Sequence, residues 1–366
     1  MDFGFYVHVP FCAARCDYCA FATWTDRDHL MAPYAQACVT EARRAVEAED
    51  LPSATSVFFG GGTPSRLDPA MLGSILGVLP RRAGAEVTVE CNPEDASAER
   101  FSAWLSAGVT RVSFGAQSMV PAVLEGLGRR HRPGAVQRAV LLAHRAGFAS
   151  TSVDLIFGGA GETDRNWAET LDAVLSFDPP PEHVSCYALT VEPGTPLASD
   201  ASRHPDDDDQ ADRYEIADKI LENAGYRWYE VSNWALPGHE CRHNLLYWRQ
   251  GDYRGIGCAA HSHRAGRRWW NVRTPERYIA AIGSGRSAEA GSEILDPASR
   301  RLEALQLAIR TSGGVPKESV PDDPALFGLV EQHGDSAVLT LRGRLLTNEV
   351  AIRLEESPVP TDILRR

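Results

Sequence analysis

The chain has 366 residues, 43% hydrophobic and 23% charged, a composition suited to a globular protein with a large core. Its formal net charge of −12 disfavours a general nucleic-acid or anionic-membrane binder. No apolar run approaches the roughly 20 residues of a membrane span. The start "MDFGFYVHVP" lacks the basic and long apolar parts of a signal peptide, so a cytoplasmic protein is expected.

In chain order, the first strand is "FYVHVP". "TSVFFGGG" near residue 55, "EVTVECNP" near 86, "VTRVSFGAQS" near 109, "STSVDLIFGG" near 150 and "HVSCYALT" near 183 follow. Between them lie stretches with helical apolar spacing, such as "PYAQACVTEARRAVEA" and "PGAVQRAVLLAHRAGF". Strand–helix alternation predicts parallel strands and an α/β fold. A partial (β/α)6 TIM-like barrel is expected, with a doubly wound sheet as the competing arrangement. Each strand ends in residues with chemical potential, which favours the barrel, because a doubly wound sheet gathers its chemistry at one switch point.

The pattern changes after residue 200. "HPDDDDQADRY" reads as the acidic, solvated start of a helix. A segment rich in aromatics, Gly and His follows. From about residue 293 two amphipathic helices, "ASRRLEALQLAIRT" and "PALFGLVEQHG", precede a hairpin-like "SAVLTLRGRLLTN" and a last short helix. The expected division is a barrel core at 1–200, an extension packing on it at 201–292, and a small α+β winged-helix-like unit at 293–366.

Of eight cysteines, Cys12, Cys16 and Cys19 cluster as C-x3-C-x2-C. The absence of an export signal argues against a disulfide framework. Zinc needs a fourth ligand, with His8, His29 or Cys38 to supply it, and no second cysteine pair is present. A [4Fe–4S] cube held by three thiolates keeps one iron open for a substrate or cofactor. "FFGGGTP" at 58–64 follows a strand directly, and its glycines allow close backbone approach to a ligand.

The C-x3-C-x2-C spacing resembles that of the radical S-adenosylmethionine (SAM) enzymes. The resemblance implies that SAM chelates the free iron and is cleaved reductively to a 5′-deoxyadenosyl radical. It implies SAM contacts from Gly61, Gly62 and Thr63, from the strand-end Glu90, and from Gln117, Arg129, Asp154 and Ala188. Arg130 is the rival of Arg129 if the register slips by one. Tyr6 and Tyr18 flank the cluster, and His261 matches a position that approaches SAM in a sister enzyme.

Further motifs extend the resemblance: "YVHVPFC", "DLIFG", "YALTVEPGTPL", "YEVSNWA", "CRHNLLYW" and "GIGCAAHS" occur in order. Together they resemble the HemW group of radical-SAM haem chaperones. That implies haem binding, an acceptor haem protein, an electron donor, and a monomer or homodimer that contacts no nucleic acid and meets membranes only peripherally. His243, Cys241 and Cys258 are the haem-ligand candidates, together with His261.

The alternative is the oxygen-independent coproporphyrinogen III dehydrogenase, which has a further cysteine two positions past the third and an N-terminal extension. Here that position is Phe21 and the cluster strand starts at once, so no dehydrogenase activity is expected. "GGAGET" and Cys258 depart from the usual HemW pattern, leaving the cluster ligands untouched.

Overall fold

The computed structural model describes residues 2–129 and 131–354. All six expected strands are present: β1 (Phe3–Val9), β2 (Ala54–Gly61), β3 (Arg81–Cys91), β4 (Arg111–Gln117), β5 (Ser150–Phe157) and β6 (His183–Ala188). Between them run α1 (Met31–Ala48), α2 (Pro69–Leu76), α3 (Ala98–Ala107), α4 (Pro121–Gly126), α5 (Pro133–Ala146) and α6 (Asp164–Leu175). The strands pair in parallel in the order β1-β2-β3-β4-β5-β6. A doubly wound sheet would reverse this order at a switch point, and none occurs. The core is therefore the six-stranded (β/α) barrel arrangement.

Alternation divides the two faces of the sheet. Phe3, Phe5, Val7 and Val9 of β1 are buried in one large apolar cluster with Tyr34 and Cys38 of α1. Residues of the other parity, among them Tyr6, Phe58, Glu90 and Asp154, are only partly buried and face the opposite side, the interior of the arrangement.

The segment after β6 extends the sheet at both ends. α7 (Asp207–Asn223) starts on the acidic run, with Asp206 capping the Asp208 and Asp209 amides. β7 (Arg227–Glu230) and β8 (Asn233–Ala235) add to β6. The helix α8 (Arg242–Trp248) carries "HNLLYW". β9 (Asp252–Ile256) pairs in parallel with β1, and β10 (His261–Arg264) and β11 (Arg267–Asn271) follow it. After α9 (Pro275–Gly283), β12 (Glu289–Ile294) completes a 12-stranded sheet.

At the C-terminus, α10 (Pro297–Ala308) matches the first expected helix. A three-stranded sheet follows, with β13 (Val315–Pro316), β14 (Val330–His333) and β15 (Ser336–Leu339), then α11 (Leu341–Leu345) and α12 (Thr347–Ala351). The expected helix in "PALFGLVEQHG" is absent. Its first residues make one 3-10 turn, and "VEQH" forms β14 against β15. The hairpin turn thus falls at Gly334–Asp335, not inside "SAVLTLRGRLLTN". Gly343 lies inside α11, where a Cβ would sit 1.8 Å from the Leu329 carbonyl oxygen. Arg344 holds α11 to α7 through a bidentate pair with Asp218, at 2.7 and 2.8 Å.

Glu41 of α1 is 5% exposed and joins the two halves of the molecule. It accepts from the Gly257 amide (2.9 Å), Asn271 Nδ2 (2.8 Å), the Tyr278 hydroxyl (2.6 Å) and Arg254 Nη2 (3.4 Å). Removing the carboxylate strands all these donors in a dry site. Glu41→Ala is expected to lower unfolding stability by about 3 kcal/mol or more, read from the denaturant midpoint.

Candidate functional site

Cys12, Cys16 and Cys19 lie on the loop that leaves β1, as free and partly exposed thiols. The loop is pinned at its start: the Cys12 amide donates to the Trp24 carbonyl at 3.0 Å and the Trp24 amide to the Pro10 carbonyl at 2.8 Å. Burial first, and the neighbouring thiols second, raise the Cys12 and Cys19 pKa values. At Cys12 the Thr63 hydroxyl, which donates to Sγ at 3.5 Å, works against this rise. Arg129 Nη1 donates to Cys16 Sγ at 3.5 Å.

The zinc reading finds little support in the other candidate ligands. Cys38 is sealed in the core beside Tyr34 and Tyr278, where burial raises its pKa. Both ring nitrogens of His8 are engaged, with the Tyr6 hydroxyl (3.1 Å) and the Ala22 carbonyl (3.0 Å). His29 is exposed on a 3-10 turn.

The glycine loop abuts the cysteine loop. Gly61 has φ +111°, and a Cβ there would meet the His8 ring at 2.4 Å. A Cβ on Gly62 would lie 2.9 Å from the Val9 and Phe11 carbonyl oxygens and 3.0 Å from Cys12 Sγ. The Gly61 amide donates to Glu90 Oε2 at 3.1 Å. Burial, then the charge of Asp154, pushes Glu90 up to about 8.

Asp154 accepts from Ser113 (2.7 Å), Ser185 (2.8 Å) and, more weakly, Ser152 (3.5 Å). The serines hydrogen-bond both oxygens of the carboxylate. Sequence reasoning gives no sign of this cluster, because the three serines stand on three strands and meet Asp154 only through the register, Ser113 opposite Ser152 and Ser185 opposite Asp154. Gln117 ends β4 at φ +65°, a strained conformation for a residue other than glycine, beside a register shift in the β4–β5 pairing. Arg129 Nη2 donates to the Gly115 carbonyl at 2.7 Å, while its buried Nε has no partner among the described residues. Arg130 lies outside the described residues.

Tyr6 stacks on Phe58, with ring centroids 6.5 Å apart. Tyr18 packs into a satellite apolar cluster with Val123, Leu127, Ile156, Leu189 and Leu197, on the Arg129 side of the loop. Ala188 is exposed at the end of β6. His261 opens β10, is exposed, and stacks on Trp270 at 5.8 Å. It lies close enough to His8 to help lower the His8 pKa, after the larger effect of burial.

The haem candidates are placed differently. His243 is 1% exposed; its Nδ1 meets Ser56 Oγ and its Nε2 the Tyr247 hydroxyl, each at 2.9 Å. Burial pushes it down to about 3. Ser56 precedes Gly61 by five strand residues, which puts His243 on the order of 16 Å from the glycine loop. Cys241 is buried beside Glu86, and Cys258 is buried under Tyr34. As folded, none of these three presents a free ligand atom to solvent; their polar atoms are used in packing α8 and the 257–260 turn.

Thr63 joins the glycine loop to Cys12, and Arg129 joins β4 to Cys16, so these residues share one end of the barrel. Among the described residues no three His, Cys, Asp or Glu side chains are grouped so as to hold a metal ion. Comparison with known proteins shows the family. Residues 6–174 match the Radical SAM superfamily model. The heme chaperone HemW of Mycobacterium tuberculosis is 40% identical over 95% of this chain and 93% of that protein. The heme chaperone HemW of Bacillus subtilis is 32% identical over 94% and 97%.

The chain belongs to the HemW family of radical SAM proteins.

The crystal structure of Escherichia coli coproporphyrinogen III oxidase (HemN) superposes with a TM-score of 0.82. It covers 96% of this chain and 89% of that one at 20% identity, a likeness of fold. The HemW fold thus supplies a [4Fe–4S] and SAM site, which the thiols and glycine loop described above suit.

The Glu90 pKa has a consequence for stability. The folded chain keeps this proton up to about pH 8, whereas the unfolded chain releases it near the ordinary 4.5. The folded state binds more protons between those values, so stability falls as pH rises through that window. Glu90→Gln is expected to flatten this part of the stability–pH curve. The difference is on the order of 2 kcal/mol after discounting for partial solvent access, measured by denaturation from pH 5 to 8.5.

Proposed function

We propose that this chain is a haem chaperone, which binds haem and hands it to an acceptor haem protein. A [4Fe–4S] cluster held by Cys12, Cys16 and Cys19 and ligated by SAM accompanies that role. The carrying observation is the 40% identity, over nearly the whole length of both chains, to a protein named heme chaperone HemW. Phe21 supports the same reading. The porphyrinogen dehydrogenase has a fourth cysteine there, and here a phenyl ring, 66% exposed, offers no ligand.

When bound, the cluster and SAM supply one-electron chemistry at the barrel mouth. The chain's own residues bind and orient. Arg129, whose Nε has no partner among the described residues, would meet the SAM carboxylate. The Gly61–Gly62 backbone and Glu90 would hold its amino group. Asp154, already held by its serines, would take the ribose, and Ala188 would leave room for adenine. Tyr6, Tyr18, Thr63 and Gln117 complete the lining. Of the four haem-ligand candidates, His261 is the exposed one.

An electron donor to the cluster and an acceptor for haem follow from this role. We take the protein to be cytoplasmic, a monomer or homodimer, and without nucleic-acid partners. No helix of the described residues is long and apolar enough to cross a membrane. We retain the division at residues 200 and 292.

The test is anaerobic, on reconstituted protein. Haem is added alone, and coproporphyrinogen III is added separately with SAM and reductant. Stoichiometric haem uptake and transfer to an apo-haem protein, with no decarboxylated product, is expected. Protoporphyrinogen formation would place the chain with the dehydrogenases. Cys16→Ala is expected to abolish the visible absorption of the cluster, and a retained spectrum would show the ligand set to be wrong.

A further inference from the structure

We propose that Arg203 is a positioning residue for the cysteine loop, acting through Asp17 to hold Cys16 against Arg129. The proposal rests on the cluster assignment made above. Arg203 ends a single 3-10 turn, Ala201–Arg203, well after the barrel strands. Its Nη2 donates to Asp17 Oδ2 at 2.8 Å and to the Gly126 carbonyl at 2.6 Å. One guanidinium nitrogen thus joins the residue after Cys16 to the last residue of α4.

Asp17 is fixed on other sides as well. Its amide donates to the Leu127 carbonyl at 3.4 Å, and its carbonyl accepts from the Leu197 amide at 3.0 Å. Its carboxylate fits so closely over Gly128 that a Cβ there would lie 2.7 Å from Oδ1. Arg129 follows Gly128 directly and reaches Cys16 Sγ. Residues 126–129 therefore grip residues 16 and 17 at several points, and Arg203 clamps both partners from outside. Tyr18 adds an apolar contact to the same clamp, packing with Leu127 and Leu197.

The Arg203 and Asp17 side chains are 25% and 32% exposed. A pair this exposed contributes little to global stability, so its effect is local. Loosening it frees the middle of the loop that carries Cys16 and Cys19. It also releases the register in which Arg129 meets sulfur. Lysine keeps the charge and, like the one nitrogen used here, can donate to both acceptors, but on a shorter stem it reaches them less well.

The experiment compares wild type, Arg203→Gln, Arg203→Lys, Asp17→Asn and the Asp17→Asn/Arg203→Gln double variant, all reconstituted anaerobically with iron and sulfide. The readouts are the EPR spectrum of the reduced cluster with and without SAM, the SAM Kd, and the Tm of the apoprotein. Arg203→Gln and Asp17→Asn are each expected to weaken SAM binding about tenfold and to shift the SAM-induced EPR change. Each is expected to melt within about 3 °C of wild type. The double variant adds nothing beyond either single change, and Arg203→Lys falls between. Wild-type SAM affinity and EPR in Arg203→Gln would overturn the proposal, as would a large Tm loss that scales with the loss of SAM binding. A wild-type protein that takes up no cluster would overturn the cluster assignment itself.

Discussion

Glu41 is a carboxylate that has given up water, and four different parts of the chain compensate it. Its acceptor oxygens take the Gly257 amide, Asn271, Tyr278 and Arg254, all more than 200 residues away in sequence. That bonding fixes where β9 lies, and β9 fixes β1 from the side opposite β2. β1 is therefore an interior strand of the sheet. The cysteine loop leaves from its end, so the rigidity of the loop's root derives from this buried cluster in α1 and the late segment. Replacing any one donor would leave an acceptor lone pair dry, which explains why Asn, Tyr and Arg side chains all crowd one carboxylate.

The mouth of the barrel shows a second kind of balance. Its carboxylates, Glu90 and Asp154, are desolvated and drift toward neutrality. Its cation, Arg129, is committed on two sides, to Gly115 and to Cys16. The carboxylates therefore hold their protons more tightly than exposed ones, while the guanidinium keeps its charge beside sulfur; a cationic guest near Glu90 would favour release of its proton.

The six barrel strands and the mouth were legible because the signals are local. β-branched runs end in cysteines, glycines or a carboxylate, and each such ending falls within a few residues of its strand. The extension was less legible. β9 to β12 are four to six residues long and largely polar or charged, with few β-branched residues. In the C-terminal unit, tertiary pairing overrode helical spacing, and "VEQH" became a strand because β15 was there to pair with it. The Asp17–Arg203 contact, spanning 186 residues, left no local trace. At His243 the motif was plain in the sequence while its burial and its two hydrogen-bond partners, Ser56 and Tyr247, were not.

The position of α8 changes the shape of the space above it. The helix fills the interior near the starts of β1 and β2, where His243 meets Ser56 and an aromatic column of Phe58, His243, Tyr247 and Tyr253 closes the floor. With the strand starts filled by this helix, any guest of the barrel is confined to the strand ends, where the cysteine and glycine loops lie.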